Sequence, residues 1–190
     1  LPGLLISVIL VQACSDKSSE AVVCDLSCEN LVNPDGIGTS EPGLSWKVAT
    51  VKNGIRQKAF QILVASDTSL LYEDRADLWN SGKIEDQSQI LIPYAGKPLS
   101  SHASCVWKVR IWDNERAVTG WSRYSSFSIG LLEESDWNAT YIGQTGKSEV
   151  SISPQFYKSF NINEKPVKTF LYVNSLGYHE AYLNGNKISD

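Results

Sequence analysis

The stretch Val106–Ser122, VWKVRIWDNERAVTGWS, holds three tryptophans and two arginines. Indole faces attract cations through the ring quadrupole, and they also offer flat, rigid contact area to a ligand. Two chemistries are therefore open here: a cation–π brace between strands, or an aromatic platform for a sugar ring. Strand alternation sorts the residues. Cys105, Trp107, Val109 and Ile111 fall on one face, and Val106, Lys108, Arg110 and Trp112 on the other. Trp107 is expected in the core, with Trp46 and Phe60 as its neighbours across the sandwich, where full burial of one such ring contributes about 2–3 kcal/mol. Trp121, Arg110 and Trp112 are expected to form a structural brace on the outward face, with Arg123 as a further cation.

The remaining reactive side chains point to less. Hydrolysis of a glycosidic bond needs two carboxyl groups flanking it, held about 5–9.5 Å apart. The chain has 21 Asp and Glu residues, but they scatter through turn-like and polar segments. Asp136-Trp137 is the one acid–aromatic pair with the look of a sugar subsite, and a cap at a linker is the plainer reading. No catalytic residue is assigned. Tyr178 and Tyr182 are four apart, so in a strand they share a face with Glu180. They are candidate carbohydrate contacts, with an interface as the alternative. With His102 and His179 the only histidines, no metal site and no cofactor are expected.

Four cysteines occur, Cys14, Cys24, Cys28 and Cys105. Cys24 and Cys28 would lie about 13 Å apart in extended chain, too far for a disulfide. Cys105 falls in a predicted buried strand, where a free thiol packs as a small hydrophobe. No structural disulfide is expected. Cys14 closes an apolar run, LPGLLISVILVQAC, which has the length of a signal-peptide core and is too short for a bilayer-spanning helix. "VQAC" resembles the lipobox of bacterial lipoproteins, which implies lipid attachment at Cys14 and a location in the bacterial periplasm or at the cell surface. The polar SDKSSEA after it reads as a tether.

The elements that must position these residues are short strands. Segments such as GLSWKV, AFQILVA, SCVWKVRIW and YSSFSIG alternate apolar and polar residues between turn signals. About seven of them between residues 22 and 132 predict a two-sheet, all-β sandwich. TSLLYEDRADL is read as a helical turn or a loop. LLEESDWNA shifts to acidic residues and reads as a linker, after which strand-like segments resume. Asn184-Gly185 is a strong hairpin signal. Residues 133–190 hold too few strands to close a second sandwich, so that domain is expected to be incomplete. A net charge of −4 and a sequence pI of about 5.2 give no footprint for nucleic acid.

The order of LSCENLVNPDGIGTSEPGLSWKV, DLWNSGKI, IPYAGKPL, WKVRIWD, GWS, FSIGLLEESDWNATYIG and LGYHEAYLNGNKISD resembles bacterial α-L-rhamnosidases, glycoside hydrolase family 78. The resemblance implies a fibronectin-type-III-like (immunoglobulin-like) sandwich over residues 22–132. It implies that residues 133–190 are the start of a jelly-roll-like β-domain, following a signal and tether over residues 1–21. The implied parent reaction is inverting hydrolysis of terminal α-L-rhamnosyl residues, performed by a helical-barrel domain absent from this chain. This chain alone is then an accessory scaffold without activity. Its partners would be the rest of the parent polypeptide, a rhamnosylated plant-type glycan reached through it, and a membrane only through the lipid. The alternative is a surface glycan-binding or adhesion module with no hydrolase. Two departures stand out: Gly43 where the family usually has Arg, and Asn114-Glu115-Arg116 where it usually has a glycine after Trp-Asp. Asn114 is the residue suited to a left-handed turn there. GWSRYSS also resembles half of the WSxWS box of cytokine-receptor fibronectin domains, in which cations sandwich an indole.

Overall fold

In the computed structural model, residues 17–144, 153–166 and 168–189 are described. The expected lipid-attachment residue, Cys14, lies outside them. The chain divides between Ala139 and Thr140 into two units. In chain order the first unit has β1 (Lys17–Ser18), β2 (Val22–Cys28), β3 (Gly43–Ala49), β4 (Gln57–Ala65), β5 (Trp79–Asn80), β6 (Ile92–Pro93), β7 (Ser104–Asp113), β8 (Ala117–Val118) and β9 (Ser125–Ser128). One sheet runs β2-β3-β6. The other runs β1-β8-β7-β4-β5, with β9 also paired to β7. No α-helix occurs among the described residues, and TSL at Thr68–Leu70 is a single 3₁₀ turn capped by the Asp67 carboxylate. No helix among them is long and apolar enough to cross a membrane.

Strand β7 carries the architecture. Its burial alternates without a break, with Cys105, Trp107, Val109 and Ile111 all buried. These side chains meet Val23, Cys28, Leu44 and Trp46 of the opposite sheet and Phe60, Ile62 and Val64 of β4 in one core. Phe60 is a same-sheet neighbour of β7, in register with Ile111, and meets Trp46 edge-on at 5.1 Å between centroids. Strand β4 is buried on both faces, because the 66–80 connection crosses its outer side. Leu63, Ala65 and Leu71 form a second small core there, joined by Val106 and Trp121. The indole of Trp46 donates to Gln57 Oε1 at 2.9 Å, and Gln57 Nε2 donates to the Ser88 carbonyl at 2.8 Å, so this buried amide is satisfied.

The chain's own early segments cover the β8–β9 side. β1 pairs parallel with β8, and Ile37 bridges parallel to Ile129. Asn33 Oδ1 accepts from Ser125 Oγ at 2.8 Å and the Ser126 N–H at 2.9 Å, which draws NPDGI across from the β2 sheet to the β9 edge. Such cover removes an exposed ladder that would template aggregation.

Both departures from the family pattern sit at close backbone contacts. A Cβ on Gly43 would lie 2.8–3.2 Å from Leu91, which itself adopts φ 51°. At the β7–β8 turn the left-handed residue is Arg116, φ 62°, and not the expected Asn114. Asn114 is used otherwise: its Oδ1 accepts from the Arg56 N–H at 2.8 Å. The turn is tied by the buried Asp113 carboxylate, which accepts from the Glu115 and Ala117 N–H groups at 2.8 and 2.9 Å and from Ser19 Oγ at 2.6 Å.

Described residues of the second unit contain one hairpin, β10 (Ala181–Leu183) with β11 (Asn186–Ser189), turned by Asn184 and Gly185 at φ 50° and 81°. The strand-like segments around Phe156–Ile162 and Lys168–Val173 form no ladder in their described residues. Extended chain without a paired neighbour has nowhere to satisfy its backbone groups except water. Apolar side chains stay open there, with Phe170 39% and Leu183 47% exposed and Tyr172 half-buried.

Arg116→Gly is expected to stabilise the first unit. An L-residue in the left-handed region costs about 1–2 kcal/mol, partly offset by the flexibility glycine adds to the unfolded chain. Urea unfolding of residues 17–139 should show a net gain of about 0.5–1 kcal/mol. A loss of stability would mean that the Arg116 side chain contributes more than its backbone strain costs.

Candidate functional site

The outer face of β7 carries the densest set of aromatic and cationic side chains in the first unit. Because β7 alternates, Val106, Lys108, Arg110 and Trp112 must all leave on the side away from the core. The strand beside it is interrupted between β8 and β9, at Thr119–Tyr124. Thr119 and Ser122 span the gap. Each donates its backbone N–H to β7, Thr119 to the Ile111 carbonyl and Ser122 to the Val109 carbonyl, both at 2.9 Å. Each also accepts from β7 with its side chain: Ile111 N–H donates to Thr119 Oγ1 and Val109 N–H to Ser122 Oγ, both at 3.1 Å. Hydroxyls thus stand in for missing backbone carbonyls, and Trp121, between them, packs with Val106 of β7 against Leu63, Ala65 and Leu71.

The result is an alternating stack. Arg110 lies 4.6 Å from the Trp121 centroid and 5.1 Å from that of Trp112. Lys108 Nζ lies 5.0 Å from Trp121 and 5.4 Å from Tyr72, and Lys83 Nζ 5.2 Å from Trp112. The order is Tyr72, Lys108, Trp121, Arg110, Trp112, Lys83. Arg110 is held from below as well. Its Nε and Nη2 donate to Gln61 Oε1 at 3.1 and 2.8 Å, and Nη2 also donates to the Glu73 carboxylate. Burial holds the Lys108 ammonium below the ordinary lysine range; Glu73 opposes that shift and Arg110 adds to it. The Trp121 indole is therefore engaged by two of the protein's own cations and is partly buried.

The structure brings together the three sequence-assigned brace residues, Trp121, Arg110 and Trp112. Tyr72, Lys83, Glu73 and Gln61 had no signal, since the first three arrive from the connection after β4 and Gln61 from β4 itself, whose register with β7 places it opposite Arg110. Lys108 had one, its place on the same strand face as Arg110.

The other candidates are smaller. Tyr178 and Tyr182 hydroxyls donate to the two oxygens of Glu180 at 2.7 and 2.9 Å, and Lys187 Nζ donates to Oε1 at 2.8 Å. Hydrogen bonds from Lys187, then Tyr178 and Tyr182, hold the Glu180 carboxyl down to about 2. Both rings remain open, Tyr178 at 85% and Tyr182 at 56% exposure. Asp136 is a cap: it accepts from Ser101 Oγ and the Glu133 N–H, and these bonds hold its carboxyl below the usual range. A surface notch of about 260 Å³ is lined by Ser40, Glu41, Tyr94, Ala95, Gly96 and Pro98, with one carboxylate and no second acid opposite it. Cys28 and Cys105 are buried free thiols, and desolvation pushes each up to about 12, so neither is a nucleophile near neutral pH. Among the described residues no group of three or more His, Cys, Asp or Glu is placed to hold a metal.

Residues 23–133 match a family described as the Rha78A-like N-terminal immunoglobulin domain. An α-L-rhamnosidase of Formosa agariphila is 34% identical over 191 residues, covering 95% of this chain and 20% of that protein. The crystal structure of the Streptomyces avermitilis α-L-rhamnosidase complexed with L-rhamnose is 37% identical, with a TM-score of 0.60, over 63% of this chain and 11% of that one. The α-L-rhamnosidase structure from Dictyoglumus thermophilum is 34% identical, with a TM-score of 0.61, over 65% and 14%. The chain spans about a fifth of the length of the curated relatives it matches.

Trp121→Ala should lower the stability of the first unit by about 1–3 kcal/mol, from lost buried area and two lost cation contacts. Denaturant melts of residues 17–139 measure it. A loss under about 0.3 kcal/mol, the range of an ordinary surface substitution, would reject the brace.

Proposed function

The chain belongs to the Rha78A-like N-terminal immunoglobulin domain family, and from that premise we propose that it serves as the accessory scaffold of a larger α-L-rhamnosidase. The observation that carries this reading is the way the first unit spends its reactive side chains. Its cations and indoles are stacked on one another, Asp113 and Asp136 cap turns, and its buried thiols are inert. In this reading, inverting hydrolysis of terminal α-L-rhamnosyl bonds is the work of the parent polypeptide. The open apolar side chains of the second unit, Phe170, Leu171, Val173 and Leu183 among them, are surface for its remaining domains. Lys168–Val173 is apolar on both faces, as suits a strand covered on both sides.

A second reading, a glycan-binding module, is favoured by one feature. Tyr178 and Tyr182 present exposed rings around a fixed Glu180 carboxylate. That arrangement offers stacking area beside an acceptor.

The purified 190-residue chain should release no chromophore from an aryl α-L-rhamnoside above the buffer rate. General acid and base must be held rigidly, since about an ångström of misplacement costs on the order of a hundredfold. Turnover that migrates with the chain on gel filtration, and that vanishes when one of its carboxylates is replaced, would overturn the scaffold reading.

Export and anchoring form a separate part of the proposal. The apolar run ending at Cys14 supports a lipid-anchored form at the bacterial periplasm or cell surface, with the polar residues after it as tether. Stable anchoring takes more than one acyl chain, as the resemblance to lipoproteins implies. In cells expressing the gene with a full signal, the chain should fractionate with membranes, and its Cys14→Ser variant should not. Equal recovery of both in the soluble fraction would refute the anchor.

A further inference from the structure

We propose that Asn138 is an acceptor for N-linked glycan transfer, with Asn138-Ala139-Thr140 as the recognition triplet and a polyprenyl-pyrophosphate oligosaccharide as the donor class. This goes beyond the scaffold role and assigns a modification site to the exposed run that follows the 3₁₀ turn at Glu134–Asp136. The sequence contains one Asn-X-Thr/Ser triplet with a non-proline centre, and it is this one. Asn80-Ser81-Gly82 lacks the hydroxyl two residues on, and Asn33 is followed by Pro34.

Placement makes the triplet usable. A transferase has to draw the acceptor segment into its own groove, which a ladder strand resists because its backbone groups are already paired. Trp137 through Gln144 form no strand or helix, and every residue of that run is exposed. The run begins directly after a fixed point, since Asp136 caps the preceding 3₁₀ turn and accepts from Ser101. The side-chain amide of Asn138 makes one long contact, 3.4 Å to the Asp136 carbonyl. Other asparagine side chains are engaged in the fold: Asn33 with Ser125, Asn80 with Gln61, Asn114 with Arg56. Thr140 is exposed beside it, so its hydroxyl is available to the enzyme.

In the transfer, Asn138 Nδ2 forms a bond to the anomeric carbon of the donor sugar. The bond from that carbon to the pyrophosphate oxygen breaks, and the lipid pyrophosphate leaves with the electron pair. One amide proton passes to a base on the transferase. No oxidant or reductant takes part, and the product is a bulky, hydrophilic group at the surface.

The test incubates the purified full chain with a single-subunit bacterial oligosaccharyltransferase and its lipid-linked oligosaccharide, and reads intact mass. The wild type and Thr140→Ser should each gain the mass of one glycan. Asn138→Gln and Thr140→Ala should gain none, while keeping the wild-type unfolding midpoint. A synthetic peptide spanning 134–142 serves as the unfolded reference. An unmodified full chain, with or without modification of the peptide, would overturn the proposal, as would a mass gain that survives Asn138→Gln. The reaction needs no export, so its failure is separable from a failure of the anchor at Cys14.

Discussion

A strand hydrogen-bonded along both edges has to occupy both of its faces with side chains, and β7 does so with two unlike chemistries. Its inner face is apolar and close-packed, with Trp107, Val109 and Ile111 fully buried. Its outer face is a run of cations and indoles that neutralise one another's solvation needs. Lys and Arg stems cover apolar surface while their charged ends sit over ring faces, so the outer layer excludes water from the β4–β7 ladder without being hydrophobic. The small core of Leu63, Ala65 and Leu71 depends on this, because Trp121 is both its lid and the central rung of the stack.

The same constraint explains the interrupted strand. A continuous ladder from Ala117 to Ser128 would place Trp121 within the pleat. The interruption lets it pack with Val106 against Leu63, Ala65 and Leu71, and the cost is two backbone carbonyls that no longer face β7. Thr119 and Ser122 supply hydroxyl oxygens in their place, so the β7 N–H groups stay satisfied. A hydroxyl that accepts on one strand and a backbone N–H that donates from the same residue make a stiff connection.

The two indoles of the core face differ in a way that marks where the fold tolerates imperfection. Trp46 N–H is bonded to Gln57, whereas Trp107 Nε1 is buried with no partner in the structure. An unmade bond at a buried donor costs about 1–3 kcal/mol. Trp107 lies at the centre of the sandwich, where its ring area outweighs that loss.

How much of this was legible in the sequence follows from range. Period-two alternation is local, so the two faces of Ser104–Asp113 and the inward place of Trp107 could be read directly, as could the Asn184-Gly185 turn. The pairing of Arg110 with Trp121 was also within reach, since both belong to one stretch of adjacent strands. The sheet partners were not: Phe60 was expected across the sandwich from Trp107 and lies instead on the same sheet, in register with Ile111, because register is set by the whole ladder. Nor was the left-handed residue of the β7–β8 turn. Asn114 has the better intrinsic preference, but its amide is taken by Arg56 from a distant loop, and the turn closes through Arg116 instead. Tyr72, Glu73 and Lys83 entered the stack only when the 66–84 connection folded over β4 and β7. Sequence by itself determined which residue faces which way along each strand, because that depends on covalent geometry. Tertiary structure alone decided which faces meet, because contacts between residues far apart in the chain form only once the strands have paired.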